Sequence, residues 1–373
     1  MDFTLTTEQL LIKESAARFA AGDHAGDRWD TFAELGWLAL GAPERCGGFG
    51  GPLETLLLME QFGRGLVVTP YAGQVVAASA ILNHAGVHDL LEQLVEGNDR
   101  FAVAYEEPAA RYDPEIVATS ASRTTDDGSW SLRGSKLRVL GAASATRFIV
   151  SARTAAGITL FEVPADSARV TRRAFAAEDG HDVGDVTFGD APARSMIGEP
   201  GEGLALLERG LDHAVAALCA EAVGIAGVML EMTVAYTKQR HQFGVPIGSF
   251  QALQHRMAEM FIELELARSM AYLAALRLDA PDAAERRRGI SAAKALIARS
   301  GRFIGQNAIQ LHGGIGMSEE YAVGRYFKRL TTLERFFGDR AFHLRRFATA
   351  RQPAPDGGAE LALAAASGAL AGR

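Results

Sequence analysis

The chain has 373 residues, of which 38 are basic and 45 acidic, so its formal net charge is −7. This length suits roughly two or three domains, and 48% apolar with 22% charged residues is an average globular composition. The mild acidity argues against a nucleic-acid partner or an anionic membrane surface, because both attract clusters of Lys and Arg. Two cysteines, Cys46 and Cys219, argue against a disulfide framework, and no His or Cys cluster has metal-ligand spacing, so no metal site is predicted.

The compartment is predicted from the N-terminus and the cysteines. Residues 1–4 lack the charged segment and apolar stretch of a signal peptide, and two reduced core cysteines are typical of a cytoplasmic protein. The nearly continuous apolar stretch 214–230 is interrupted by Glu221 and is rich in small side chains. It is therefore predicted to be a helix buried among other helices rather than a membrane span.

The first part of the chain, residues 3–98, is predicted to be an all-helical domain, since apolar residues recur there at near-helical spacing. Pro52 follows a glycine-rich turn and suits the first position of a helix. The predicted helices cover 6–19, 31–38, 52–62, 74–85 and 90–96.

Residues 99–197 have a different pattern, because short apolar runs alternate with Gly, Pro and Asp. Such spacing indicates several short strands in a small antiparallel sandwich or barrel. The runs are 130–133, after a turn at 126–128, then 138–140, 148–151, 158–163 and 186–188.

Long helices return at 200–351 and predict a four-helix bundle. Ser249 is predicted to cap a helix with one apolar stripe, and another helix is predicted over 282–310, stopping at Gly313-Gly314. Residues 352–373 are rich in Ala and Gly and are predicted to be a disordered tail.

Two segments of the third part carry candidate chemistry. Arg240 precedes a tight Gly/Pro turn that fixes its guanidinium, which suits bidentate contact with a phosphate. The glycines of segment 310–321 expose backbone N–H groups that an anionic ligand can approach. A P-loop, a Gly-x-Ser-x-Gly elbow and a Gly-x-Gly-x-x-Gly motif in a βαβ context are all missing, so a Rossmann dehydrogenase is not expected.

Together the two segments resemble the signature of the acyl-CoA dehydrogenase family. They read Arg240-x-Gln242-Phe243-Gly244…Phe250-Gln251 and Gln310-x-x-Gly313-Gly314-x-Gly316…Glu320…Arg325. The two motifs have the order and the separation that they have in the family. The order of a helical part, a β part and a second helical part also agrees with the family, over about residues 3–350. The resemblance implies an α+β fold with an N-terminal helical domain, a middle antiparallel β domain and a C-terminal four-helix bundle.

The resemblance also implies a cofactor and partners. In that family FAD lies extended, and a neighbouring subunit holds its pyrophosphate and adenosine, so an oligomer is expected. Arg240 would clamp the pyrophosphate, Gln242 and Phe243 would line the adenosine, and Gln251 would assist. Gln310, Gly313 and Gly314 would receive the ADP portion. An acyl-CoA substrate and an electron-transfer flavoprotein as acceptor are the implied partners.

The sequence departs from the family where proton transfer takes place. A glutamate normally removes the α-proton of the acyl thioester, which requires a carboxylate beside the α-carbon. At its usual position this chain has Phe337, and at the minority position, on the first long bundle helix, it has about Ala214. Neither side chain accepts a proton, so the sequence assigns no catalytic residue.

The flavin-facing part of the β domain departs as well. The usual Trp-x-Thr is replaced by Leu137-Arg138-Val139, and the usual Thr-Glu-Pro by Glu106-Glu107-Pro108. In the family a Gly/Ser-rich loop normally follows. In this chain its place is taken by residues 109–113, which are Ala-Ala-Arg-Tyr-Asp. The losses therefore concentrate on the half-site for the chain's own flavin ring, whereas the half-site for a neighbour's ADP moiety is kept.

This pattern resembles the smaller subunits of heteromeric acyl-CoA dehydrogenases, including the pimeloyl-CoA dehydrogenase small-subunit type. The leading hypothesis is an α2β2 enzyme in which a homologous partner supplies the base.

A second hypothesis is a self-sufficient dehydrogenase with a displaced base, for which Glu221 and Glu334 are the candidates. However, a paired buried carboxylate is the plainer interpretation of Glu221, and a solvated helix residue that of Glu334. A third hypothesis is a flavin monooxygenase on the same scaffold, which needs no base for an α-proton. A fourth is a non-enzymatic oligomer module that binds no flavin, although it would leave the Arg240 and Gly313-Gly314 motifs unexplained.

Overall fold

The computed structural model of the chain describes residues 4–22, 26–124, 129–318 and 320–350. The turn predicted at 126–128 and the tail predicted at 352–373 lie outside the described residues.

The N-terminal part is helical, as predicted. Thr6 and Gln9 form a reciprocal capping box at the start of α1, and Pro52 occupies the first turn of α3. The helices are α1 (Thr7–Ala20), α2 (Trp29–Glu34), α3 (Pro52–Gly65), α4 (Ala78–His84) and α5 (His88–Val95), and a π-helical stretch, Ala72–Ala77, leads into α4.

The middle part is a sheet of eight strands in the order β6-β7-β3-β2-β4-β5-β8, with β1 also paired to β4. The strands are β1 (Phe101–Ala104), β2 (Ser120–Arg123), β3 (Trp130–Leu140), β4 (Arg147–Thr154), β5 (Gly157–Pro164), β6 (Val170–Ala176), β7 (Asp182–Ala193) and β8 (Ser195–Ile197). The sheet is not wholly antiparallel, because β1 and β2 pair parallel to β4. The long connection 105–146 supplies the crossover that the parallel β1–β4 pair needs.

The C-terminal part contains three long helices and two shorter ones. They are α6 (Gly203–Gln239), α7 (Gln251–Leu278), α8 (Ala283–His312), α9 (Val323–Arg335) and α10 (Arg340–Thr349), and a small hairpin of β9 (His241–Gln242) and β10 (Val245–Pro246) joins α6 to α7. The predicted C-terminal helical domain is therefore confirmed, and its described residues form five helices where four were predicted.

The two predicted helix starts differ in outcome. Asp282 caps α8 by accepting a hydrogen bond from the backbone N–H of Ala284. The prediction for Ser249 is wrong, since α7 begins at Gln251 with Phe250 as its capping residue. The Ser249 hydroxyl instead donates to the carbonyl of Pro246 over 2.7 Å, inside a short 3-10 turn that the Pro246 backbone sets up.

Helix α6 is the only described helix that is long and apolar enough to cross a membrane, and 89% of its most apolar window is buried within the protein. The prediction of a core helix is therefore confirmed. One hydrophobic core runs through the N-terminal helices and the C-terminal helices, while the sheet encloses a second core.

Helices α3 and α6 touch through their backbones. A Cβ atom added to Gly63 would lie 2.0 Å from the carbonyl oxygen of Glu221, and one added to Gly224 would lie 2.0 Å from that of Glu60. Only glycine fits at such distances, so this crossing fixes the N-terminal helices against α6.

A buried ionic cluster joins all three parts, and we call its four residues, Asp179, His181, Glu221 and Arg329, the Arg329 network. Arg329 Nε and Nη2 donate to the Glu221 carboxylate over 2.6 and 2.9 Å. Arg329 Nη1 lies 2.7 Å from both Asp179 Oδ2 and His181 Nδ1. His181 Nε2 completes the connection by donating to the carbonyl of Thr69 over 2.8 Å.

The protonation state of this network follows from its surroundings. Burial and the Arg329 charge lower the pKa of His181, so the ring is neutral with its proton on Nε2. Burial opposes ionisation of Asp179, but the Arg329 guanidinium, 2.7 Å away, outweighs it and lowers the pKa of that carboxyl. The network is therefore a guanidinium shared by two carboxylates and a neutral imidazole.

His213, at the packing surface between α4 and α6, gives a prediction about pH. Burial lowers the pKa of His213 to about 4, from 6.5, so the folded protein resists a proton that the unfolded chain binds. Stability is therefore lost as pH falls from 6.5 towards 4, by about 2 kcal/mol at pH 5. Urea unfolding at pH 7.5 and pH 5 should show His213→Gln losing about 2 kcal/mol less than the wild type. Equal losses in the two proteins would contradict this assignment.

Candidate cofactor and substrate site

The seven residues predicted to contact a neighbour's FAD lie at one end of the C-terminal helices. Arg240 ends α6, Gln251 begins α7, and Gln310 lies in the last turn of α8. We call this exposed region the motif surface; it comprises Arg240, Gln242, Phe243, Gly244, Gln251, Gln310, Gly313 and Gly314.

The hairpin between α6 and α7 presents its side chains to solvent. Phe243 is 92% exposed and adopts a positive φ of 55°, which turns the chain sharply before Gly244. Its ring lies 6.1 Å from the ring of Phe250, next to Gln251. The Gln242 amide donates to the carbonyl of His241 over 2.8 Å. Such exposure in a large aromatic side chain is typical of a contact surface.

The glycine turn after α8 is open. A Cβ atom added to Gly313 or Gly314 would meet nothing within 4 Å, so the backbone there is accessible to a ligand. Gly316 differs, because its Cβ atom would lie 2.9 Å from the carbonyl oxygen of Ile309. The motif surface thus offers a guanidinium, side-chain amides and an open glycine backbone, which fit the diphosphate and adenosine of an extended dinucleotide.

The residues that the resemblance assigns to flavin ring and substrate meet elsewhere, in a crevice between the sheet and α9. Its volume is about 210 Å³. The sheet side contributes Val103, Tyr105, Glu106, Leu137, Arg138 and Leu140, and the helical side contributes Thr331, Thr332, Arg335, Phe336 and Phe337.

An ion pair occupies the sheet side of this crevice. Arg138 and Glu106 form a salt bridge, and the Arg138 guanidinium also lies 5.0 Å from the ring centre of Tyr112. Both Arg138 and Tyr112 have positive φ angles, 51° and 79°, a strained conformation for non-glycine residues. The Glu106 carboxylate that the sequence placed near the flavin ring is thus neutralised by a neighbour. Of the two lost hydroxyl positions, one is now this carboxylate and the other is the apolar Val139.

The helical side of the crevice has no proton acceptor at the predicted positions. Phe337 lies in the crevice with its ring 6.5 Å from that of Tyr105, and Ala214 is fully buried in α6. Phe337 also adopts a positive φ of 56°. A phenyl ring supplies apolar surface here but takes no proton, so the crevice lacks a base at the family's position. The carboxylates that do line the crevice are Glu106, which is paired with Arg138, and Glu178.

Glu107 belongs to the fold rather than to the crevice. Its carboxylate accepts hydrogen bonds from the buried ammonium of Lys136 over 2.7 Å and from the backbone N–H of Thr119 over 3.0 Å. Burial lowers the pKa of Lys136 to about 8 even though Glu107 opposes the shift. The pair holds the loop that carries Glu106 against β3.

The two candidate displaced bases are both ion-paired. Glu221 accepts two hydrogen bonds from Arg329, so it is the paired buried carboxylate that its sequence context indicates. Glu334 is bonded to Arg302 over 2.5 Å and its side chain is only 13% exposed, so it is not the solvated residue expected. The crossing of α9 over α8 brings Arg302 beside Glu334 and accounts for the difference.

Sequence reasoning missed Tyr112, Arg335 and the Asp179–His181 pair. Tyr112 and Arg335 adjoin the crevice, and Asp179 lines a neighbouring cavity of about 780 Å³ together with Arg329. Asp179 and His181 are close in sequence, but their contact with Arg329 joins segments far apart in the chain, as does that of Tyr112 with Arg138, so no local pattern predicts it.

Comparison with known proteins agrees with this architecture. Models of the acyl-CoA dehydrogenase N-terminal, middle and C-terminal domains match residues 6–96, 102–191 and 201–351. The acyl-CoA dehydrogenase IpdE2 of Mycolicibacterium smegmatis is 31% identical over 85% of this chain and 86% of its own length.

Two solved structures extend the likeness. A variant of the steroid ACAD Tcur3481-Tcur3483 is 30% identical, with a TM-score of 0.82 over 97% of this chain and all of that one. PigA in complex with FAD is 27% identical, with a TM-score of 0.85 over 93% of this chain and 98% of that one. Since helical, β and helical domains all match in the order of the fold, the chain belongs to the acyl-CoA dehydrogenase family, a family of FAD-dependent oxidoreductases.

Proposed function

We propose that this chain is the base-lacking subunit of an FAD-dependent acyl-CoA dehydrogenase. In an α2β2 heterotetramer it would present its motif surface to the FAD of a base-bearing homologous subunit. The observation that carries the proposal is the contrast between its two half-sites. The motif surface is open and chemically suited to a dinucleotide, whereas the crevice has Phe337 at the position of the base.

On the motif surface each predicted residue has a role that its position supports. The Arg240 guanidinium pairs with the pyrophosphate, and the backbone N–H of Gly314 donates to the same anion, because that of Gly313 already donates to the carbonyl of Gln310. Phe243 provides an apolar face for the adenosine, and the amides of Gln242, Gln251 and Gln310 supply hydrogen bonds around it.

Bound FAD supplies the acceptor for the β-hydride of an acyl-CoA thioester. The α-proton goes to the glutamate of the homologous subunit, since neither Phe337 nor Ala214 takes it. We also propose an electron-transfer flavoprotein as the acceptor of the electrons and the cytoplasm as the location.

The crevice of this chain argues against a ring site of its own. The Glu106 carboxylate, paired with Arg138, stands where relatives supply a hydroxyl donor to the flavin ring. The side chains of Leu137 and Val139 offer no hydrogen-bond donor to a flavin ring. These features support a complex in which only the partner's crevice carries out the oxidation.

Flavin content and turnover test the proposal. The chain is purified alone and together with a homologue that keeps the glutamate, and the flavin spectrum and acyl-CoA oxidation with an artificial electron acceptor are recorded. We expect little FAD and no turnover from the lone chain, and FAD with turnover from the pair. A partner whose glutamate is changed to glutamine is the matched control and should bind FAD without turnover. Stoichiometric FAD with turnover from the lone chain would overturn the proposal in favour of a self-sufficient dehydrogenase.

A further inference from the structure

Three rings stack beneath the motif surface, and we call Tyr236, His312 and Tyr321 the aromatic stack. The His312 ring lies 4.7 Å from Tyr236 at 28°, close to parallel, and 5.0 Å from Tyr321 at 46°. Tyr236 and Tyr321 are 6.2 Å apart. His312 is 2% exposed and the two tyrosines are half-buried, so the His312 ring is packed inside the protein rather than placed to contact a ligand.

The aromatic stack connects the two motifs. Tyr236 lies one helical turn before Arg240, and its carbonyl accepts the backbone N–H of Arg240 over 2.8 Å. His312 is the residue immediately before Gly313, and the Cβ atom of His312 lies 3.0 Å from the place a Cβ atom on Gly316 would take. One ring pair therefore fixes the end of α6 against the glycine turn after α8.

The hydrogen bonding of His312 indicates that the packing of its ring matters to the site and that a positive charge on the ring does not. Nδ1 lies 2.7 Å from the carbonyl oxygen of Ala308, so Nδ1 carries the proton and donates. Nε2 is buried and has no hydrogen-bond partner among the described residues. Burial lowers the pKa of His312, and the hydrogen bond to the carbonyl of Ala308 offsets only a part of that shift. A neutral ring with an unpaired nitrogen is a packing element that phenylalanine can imitate.

We propose that the aromatic stack positions the Arg240 guanidinium relative to the Gly313-Gly314 backbone, so that both bind the same diphosphate at the same time. His312 is thus a positioning residue for the cofactor. The two halves of this anion site come from helices α6 and α8, and the stack joins them through Tyr236, four residues before Arg240, and His312, next to Gly313. Without it, each half can still bind an anion, but the two no longer match the spacing of one ligand. This inference rests on the proposed function, because it takes the diphosphate of the partner's FAD as the ligand.

A double-mutant cycle on the complex with the base-bearing subunit tests it. The FAD dissociation constant is measured by flavin fluorescence during reconstitution of the apo-complex, and the thermal midpoint is measured in parallel. The variants are His312→Ala, His312→Phe and Arg240→Gln, together with the two double variants that combine Arg240→Gln with each His312 change. Tyr236→Leu replaces His312→Ala if the latter does not fold.

We expect His312→Ala to weaken FAD binding about 10- to 100-fold and His312→Phe to stay within about 3-fold of the wild type. Arg240→Gln should raise the FAD dissociation constant strongly in the wild-type and His312→Phe backgrounds. In the His312→Ala background, the fold-change that Arg240→Gln causes should be smaller by a factor of at least about five. This dependence on the background distinguishes a positioning role from a merely structural one. A merely structural His312 would lower the thermal midpoint when replaced, but Arg240→Gln would then weaken FAD binding by the same factor in both backgrounds.

The remaining outcomes distinguish the two proposals. If Arg240→Gln weakens FAD binding and His312→Ala does not, or if the two penalties simply multiply, the positioning role is overturned while the proposed function stands. If Arg240→Gln leaves FAD binding unchanged, the motif surface does not hold the cofactor, and both proposals fail.

Discussion

Replacing Arg329 with methionine should lower the free energy of unfolding by about 3–5 kcal/mol, the largest effect we expect from a single substitution in this chain. The guanidinium is 2% exposed and satisfies Glu221, Asp179 and His181 together. Methionine fills a similar volume but leaves two carboxylates buried without a partner. Desolvation of those charges, rather than the loss of attraction, makes the change costly.

The pH dependence of this variant gives a signature that simple loss of packing does not. Without Arg329, burial raises the pKa of the stranded Asp179 carboxyl above its value in the unfolded chain, so protons then favour the folded state. The stability deficit of Arg329→Met should therefore shrink between pH 8 and pH 5 in chemical denaturation. In the wild type the Asp179 carboxyl has a lowered pKa, so its stabilisation is instead lost as pH falls through acidic values.

Arg302→Met is the matched control, because it also removes an Arg–Glu pair that involves α9. The Arg302 side chain is 60% exposed, so its removal lets water take its place beside the carboxylate of Glu334, which is 13% exposed in the pair. We expect a loss of no more than about 1 kcal/mol. If the two variants were equally destabilised, or if the Arg329→Met deficit did not depend on pH, the role assigned to Arg329 in neutralising the buried carboxylates would be wrong.

The second large effect is expected on cofactor binding. Arg240→Gln should weaken FAD binding to the reconstituted complex about 10- to 100-fold, because a neutral amide replaces a planar cation that donates two parallel hydrogen bonds to a phosphate. Arg240→Lys should recover only part of the loss, since an ammonium keeps the charge without the fork. Stability should change little, because Arg240 is exposed at the end of α6.

Equilibrium titration of the apo-complex with FAD at two salt concentrations measures this effect. The wild-type affinity should fall as salt rises, and the salt dependence should be weaker in Arg240→Gln, because one charge contact is missing. Arg345→Gln, an exposed arginine on α10, is the control and should bind FAD like the wild type. A control variant that loses as much affinity as Arg240→Gln would point to net charge rather than to a specific contact.

The predictable part of this protein is the part encoded locally. The start of α3 at Pro52, the cap of α8 at Asp282 and the stop at Gly313 each follow from neighbouring residues. The failure at Ser249 has a local cause too, because Pro246 closes a turn that takes the serine hydroxyl before a helix can use it. The seven residues of the cofactor motifs could be placed on one surface only through the resemblance, since α6 and α8 are separated by the whole of α7.

The rest of the site depends on contacts that no local pattern contains. Arg138 on β3 meets Glu106 in the loop after β1, and Arg329 on α9 meets Asp179 of the middle domain. Such pairs arise from the placement of β3 in the sheet and from the packing of α9, both of which are fixed by tertiary structure. The sequence showed that the crevice had lost its base and its hydroxyl donors, but not that an ion pair and strained backbone had taken their place.

The backbone contact between Gly63 on α3 and Glu221 on α6 also constrains the order in which the chain can assemble. These two positions lie on opposite sides of the entire middle domain in the sequence. On the ribosome the sheet is therefore complete before the N-terminal helices meet the helix against which they pack. The β domain is expected to fold first and, by drawing its two ends together, to shorten the loop that the α3–α6 crossing must close.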